Sequence, residues 1–146
     1  MEKTKNKVVG KESMMFHGEI VFDIADEEHV EVDLGAEIIP TKIVKKGDVV
    51  ALGRKAPKNR WMYKISYGNE KEYLESLEKM ANQLSDKAEY VNKLARTYEE
   101  VSIIINMRSE FAEIGCSIPS HILKKLSALD CPLNFSVLSF GMVINT

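Results

Sequence analysis

Chemically useful side chains are scarce in this 146-residue chain, and each shortage removes a class of function. Histidine occurs only at His17, His29 and His121. None has a second histidine at i+4 or a carboxylate at metalloprotease spacing, so a zinc-hydrolase helix is excluded. Cysteine occurs only at Cys116 and Cys131. Without a secretory leader, two thiols in a chain of this size are expected to stay reduced. Joined by His121 they would offer three ligands where a structural zinc takes four, so no metal is expected. The C-terminal serines (Ser117, Ser120, Ser127, Ser136, Ser139) lack the glycines of a nucleophile elbow, and no glycine-rich loop matches a phosphate or dinucleotide fingerprint. An enzyme is therefore not expected, nor a cofactor. No apolar run approaches the length needed to cross a bilayer. The start, M-E-K-T-K-N-K-V-V-G-K-E-S, leads into no signal-peptide core, which points to the cytosol.

What is present is the balance of an ordinary globule, 45% hydrophobic and 29% charged. The length suits one domain able to bury about 70% of its unfolded surface. Residues 1–13, Lys-rich and aperiodic, read as a flexible tail, and 14–146 as a single α+β domain. The formal net charge is only −2, but it is segregated. From Glu19 to Glu37 stand eight acids (Glu19, Asp23, Asp26, Glu27, Glu28, Glu31, Asp33, Glu37) and no Lys or Arg. From Lys42 to Lys64 stand eight bases (Lys42, Lys45, Lys46, Arg54, Lys55, Lys58, Arg60, Lys64) against Asp48 alone. Either the two blocks neutralise each other across the folded surface, for instance through Glu31 or Asp33 with Lys45 or Lys46, or one of them steers a partner.

Ile20, Phe22 and Ile24 alternate with Glu19, Val21 and Asp23 as a strand. Asp26 can cap a short acidic helix over Glu27–Leu34, with Val30 and Leu34 on one face and Gly35 as its C′ residue. A strand over 41–45 follows Pro40. After an irregular 47–59 loop, Trp61, Tyr63, Ile65 and Tyr67 mark a strand with one buried face. Leu74, Leu77, Ala81, Leu84, Ala88, Val91, Ala95 and Tyr98 recur at helical spacing. As one rod this helix would run about 44 Å at 1.5 Å per residue, longer than the roughly 38 Å diameter of a globule this size. A break is expected near Ser85-Asp86, with Ser85 capping the second half. A strand over 101–108, a helix opening near Pro119 with Ile122, Leu123, Leu126 and Leu129 buried, and a strand from Leu133 to about Phe140 complete the order βαββααβαβ. This predicts an antiparallel or mixed sheet with helices on one face, ferredoxin-like with an added αβ unit.

Several of these stretches carry a family resemblance. The succession F-D-I at Phe22 to Ile24, L-G at Leu34-Gly35, P-T at Pro40-Thr41, K-G-D at Lys46 to Asp48, Trp61, the Leu-rich helical region of 73–94, the 101–107 strand and the run I-P-S-H-I-L-K-K-L-S-A-L-D-C-P-L-N-F-S-V from Ile118 to Val137 together resemble the bacterial family catalogued as domain of unknown function 4279. The resemblance covers roughly residues 18 to 140. It implies a compact bacterial α+β domain with no established activity, and it offers no catalytic residues.

With catalysis set aside, the charge pattern points to a protein partner, with Glu27, Glu28, Glu31 and Asp33 as the contact residues. By analogy at the level of fold, small acidic α+β domains include immunity proteins that neutralise a basic toxin. The alternative is nucleic-acid binding through the basic face of Lys42, Lys45, Lys46, Arg54, Lys55, Lys58 and Arg60, with Trp61 and Tyr63 as stacking platforms.

Overall fold

A computed structural model describes residues 16–111 and 113–142; the expected N-terminal tail lies outside them. The central strand is β1, His17–Asp26, which pairs antiparallel with β3, Asn59–Tyr67, on one side and with β4, Glu100–Phe111, on the other. A short β2, Lys42–Val44, pairs antiparallel with β3, and β5, Leu133–Met142, runs parallel to β4. The sheet order is β2-β3-β1-β4-β5.

Alternation along the strands decides which face is covered. Phe22 stands opposite Tyr63 on one neighbour and Ile103 on the other, and Ile20, Phe22, Ile24, Trp61, Tyr67, Ile103, Ile105 and Met107 form one buried face. Onto it pack α1, Glu70–Ser85, α2, Ala88–Thr97, and α3, Ser120–Leu126. In α1, Tyr73, Leu77, Met80 and Leu84 repeat at spacings of four, three and four and are fully buried. Each large apolar side chain so buried stabilises by roughly 1.5–3 kcal/mol. Gly18, the second residue of β1, is a glycine because nothing larger fits: a Cβ there would lie 1.9 Å from the Asn106 carbonyl oxygen, which also accepts the Tyr67 hydroxyl at 2.5 Å.

The helix starts with Asn69, whose side chain accepts from the Glu72 N–H at 2.9 Å while the Glu72 carboxylate accepts from Gly68 N–H at 2.8 Å, a reciprocal cap. The expected break is present, with α1 ending at Ser85 and α2 starting at Ala88. Ser85, however, is not the cap of the second half. Its hydroxyl donates back to Asn82 C=O, and Lys87 occupies the uncapped N-cap position. In α3, Ile122 is buried and Leu126 partly so, whereas Leu123 is exposed; Leu129 is buried beyond the helix end.

Two expectations are corrected. No helix forms over 27–34; the backbone is extended and irregular. Val30 and Val32 are half-buried and Leu34 buried, while His29, Glu31 and Asp33 are exposed, so the segment has a period of two rather than 3.6. Val30 and Leu34 satisfy either period, and Val32 between them decides it. Gly35 does take φ +87°, but in a turn that follows Asp33, whose carboxylate accepts the Gly35 N–H. Without that helix the first strand–helix–strand unit does not exist. The order becomes βββααβαβ, and the strand order differs from the ferredoxin-like arrangement expected. The α+β class and the mixed sheet stand.

The 47–59 segment is a folded hairpin rather than an irregular loop. Gly47 N–H donates to Ala56 C=O, Ala56 N–H to Asp48 C=O and Val50 N–H to Arg54 C=O, and the tip is Ala51-Leu52-Gly53. Leu52 holds φ +62° and is 92% exposed.

Candidate functional site

The acidic segment leaves β1 at Asp26, whose carboxylate accepts two backbone N–H groups, from Glu28 at 2.8 Å and Glu99 at 2.9 Å. These bonds hold the Asp26 carboxyl below its ordinary pKa, since the charged form accepts them best. From there the backbone is pinned at almost every step. Glu27 N–H donates to the Glu99 carboxylate, Asn59 Nδ2 to the Glu27 and Glu28 carbonyls, Glu31 N–H to Tyr98 Oη, which donates back to Glu31 C=O, and Asp33 N–H to Tyr90 Oη. The side chains point the other way. Glu27, Glu28, Glu31 and Asp33 are exposed, and among the described residues none of their carboxylates has an ion-pair partner. The four candidate contact residues therefore lie together on a rigid acidic ridge, built on an extended segment instead of a helix.

Of the eight bases, two are paired, five are exposed and Lys64 is half-buried on β3. Lys58 bridges Glu99 and Glu100 at 3.2 Å, and Arg60 pairs with Asp23. Lys42, Lys45, Lys46, Arg54 and Lys55 are exposed on β2 and the hairpin, and none pairs with the ridge among the described residues. The backbone N–H groups of Lys45 and Lys46 are occupied by Asp48 and Asn59, which fixes the turn but leaves the ammonium groups out. A cleft of about 290 Å³, lined by His29, Val30, Ile43, Val44, Asn59 and Trp61, lies between the ridge and β2. Trp61 and Tyr63 are buried in the core cluster, so the basic face has no exposed aromatic of its own strand beside it.

The sheet face away from the helices carries two cross-strand ion pairs that the sequence did not single out. Arg108 grips Glu19 with both guanidinium nitrogens, at 3.0 and 2.5 Å, and holds that carboxyl below its ordinary pKa. Arg60 meets Asp23 at 2.5 Å, but Asp23 is 97% buried and its Oδ1 has no partner among the described residues. Burial outweighs the arginine and raises the Asp23 pKa. Cys116 is exposed and Cys131 half-buried; both thiols are free, and burial pushes Cys131 up to about 11, which makes it a poor nucleophile. Sequence reasoning also missed the exposed apolar residues of β5. The signal was there, in that Leu133–Met142 contains no charge.

Fold and surface together define a class, an α+β domain with a five-stranded mixed sheet, one helical layer and a pinned acidic ridge at the end of its central strand. The chain belongs to the family described as Domain of unknown function (DUF4279), whose model matches residues 19–139. No curated protein and no solved structure matches it. Among the described residues no helix is long and apolar enough to cross a membrane.

Proposed function

We propose that this domain is a cytosolic, non-catalytic protein-interaction module of the immunity or antitoxin kind, and that its acidic ridge docks a basic partner. The observation that supports this is the contrast along 27–33: the backbone is held by Asn59, Tyr90, Tyr98 and Glu99, while the carboxylates of Glu27, Glu28, Glu31 and Asp33 are left without counter-ions. A ridge ordered before binding has little entropy left to lose on binding. A run of one charge sign raises the encounter rate with an oppositely charged surface. The nucleic-acid alternative is left with the exposed Lys42, Lys45, Lys46, Arg54 and Lys55 but without the stacking platform that Trp61 and Tyr63 were to supply.

Affinity capture from the native cytosol tests this reading. The wild-type chain is expected to retain a basic protein that elutes at moderate salt, and the double variant Glu27→Lys/Glu31→Lys to lose it. Identical capture by both proteins would count against the ridge.

A further inference from the structure

Among the described residues, β5 ends the sheet with an open edge. Residues 134–141 are all exposed, with Phe135 at 49%, Val137 at 54%, Leu138 at 52% and Phe140 at 60% of their full surface. The strand carries no charged residue and no proline, and its register shift lies beyond Ser139, so, among the described residues, 133–139 show none of the usual devices that block edge pairing. Ile103 N–H donates to Pro132 C=O at 3.0 Å, which sets the phase of the parallel ladder. By alternation the N–H and C=O groups of Asn134, Ser136 and Leu138 turn toward β4, and those of Phe135 and Val137 point off the edge.

We propose that this edge pairs antiparallel with the same edge of a second copy, joining two sheets into one of ten strands around a two-fold axis at Ser136. That register places Phe135 of each copy opposite Val137 of the other, in pairs whose outward N–H and C=O groups bond to each other. Aromatic against β-branched is a favourable cross-strand match.

Charge selects a second copy as the occupant. An uncharged strand meets itself without like-charge contact, whereas pairing through β2 would bring Lys42 of one copy against the β2 and hairpin lysines of the other. The acidic ridge leaves the end of β1 and docks on Tyr90, Tyr98 and Glu99, and none of its residues pairs with β5. The exposed surface of Phe135, Val137, Leu138 and Phe140 sets an upper limit of roughly 800 Å² over two copies when a whole aromatic contributes 150–250 Å². Even with the paired backbone the interface lies below the ~1,200 Å² at the lower end of stable interfaces, which places the association in the micromolar, reversible range.

Sedimentation velocity on the full chain tests the proposal. The wild type should sediment at twice its 16.5 kDa mass at tens of micromolar. Val137→Pro removes an outward donor and leaves the β4 ladder intact, so it should be monomeric with an unchanged far-ultraviolet spectrum. Val137→Lys, which keeps the backbone donor, should weaken association at least tenfold if the proline variant fails to fold. A monomeric wild type over that range overturns the proposal, as does a dimer that persists in both variants. A wild type that dimerises only after removal of residues 1–15 also overturns it, because that segment would then be the natural cover of the edge.

Discussion

Asp23 and Asp26 stand three residues apart on β1, and their surroundings move them in opposite directions. Asp23 sits beneath the open sheet face, where loss of hydration outweighs Arg60, so its pKa is raised and its ionised form weakens the fold at neutral pH. Asp26 accepts two backbone N–H groups, and its pKa is lowered from the ordinary 3.8. A carboxyl bound more tightly in its charged form contributes stability that is complete above the unfolded pKa and disappears as pH falls through the folded one. Asp26→Ala should therefore melt at a lower temperature than wild type at pH 7, and the gap should narrow as the pH falls below the ordinary 3.8 and through the lowered folded-state pKa. Thermal melts across that range check it; a gap independent of pH would place the role of Asp26 in packing. Asp23 was legible only as a member of an acidic block, whereas Asp26 was expected to cap the chain after β1 and does accept the Glu28 N–H, though no helix follows. Which of the eight would be consumed by the fold depends on Arg60 and Arg108 from neighbouring strands and on Glu99 from the bend before β4.

At the scale of elements, what the sequence disclosed depended on how many turns or alternations a segment contained. The long helical stripe and its break were readable because eight apolar positions agreed on one period and the globule's diameter limited the rod. The 27–34 segment was misread because Val30 and Leu34 fit two periods, and its hydrogen-bond partners, Tyr90 and Tyr98, lie more than fifty residues away. The parallel partnering of β5 was invisible for the same reason, since register across the α3 crossover is a tertiary choice. The hairpin at 47–56 gives a local test. Leu52 takes a left-handed conformation that costs a branched residue about 1 kcal/mol and buries nothing in return. Leu52→Asn should raise stability by about 0.5–1 kcal/mol in urea unfolding, since asparagine tolerates that conformation. A loss would mean that the leucine is packed in solution.

Across the whole molecule, two kinds of surface stand apart. The acidic ridge beyond β1 and the basic hairpin between β2 and β3 remain unpaired with each other among the described residues. The far edge, β5, bears no charge at all. The family resemblance fixed the class of fold but supplied no site, so the assignment of a partner surface rests on the ridge's charge being surplus to folding. Equilibrium urea unfolding of Glu27→Lys/Glu31→Lys at pH 7 and low salt measures that surplus directly. If the carboxylates serve a partner, the variant should match wild type within about 0.5 kcal/mol, as exposed substitutions do. A loss of about 2 kcal/mol or more would make them internal counter-ions of the basic block and contradict the account.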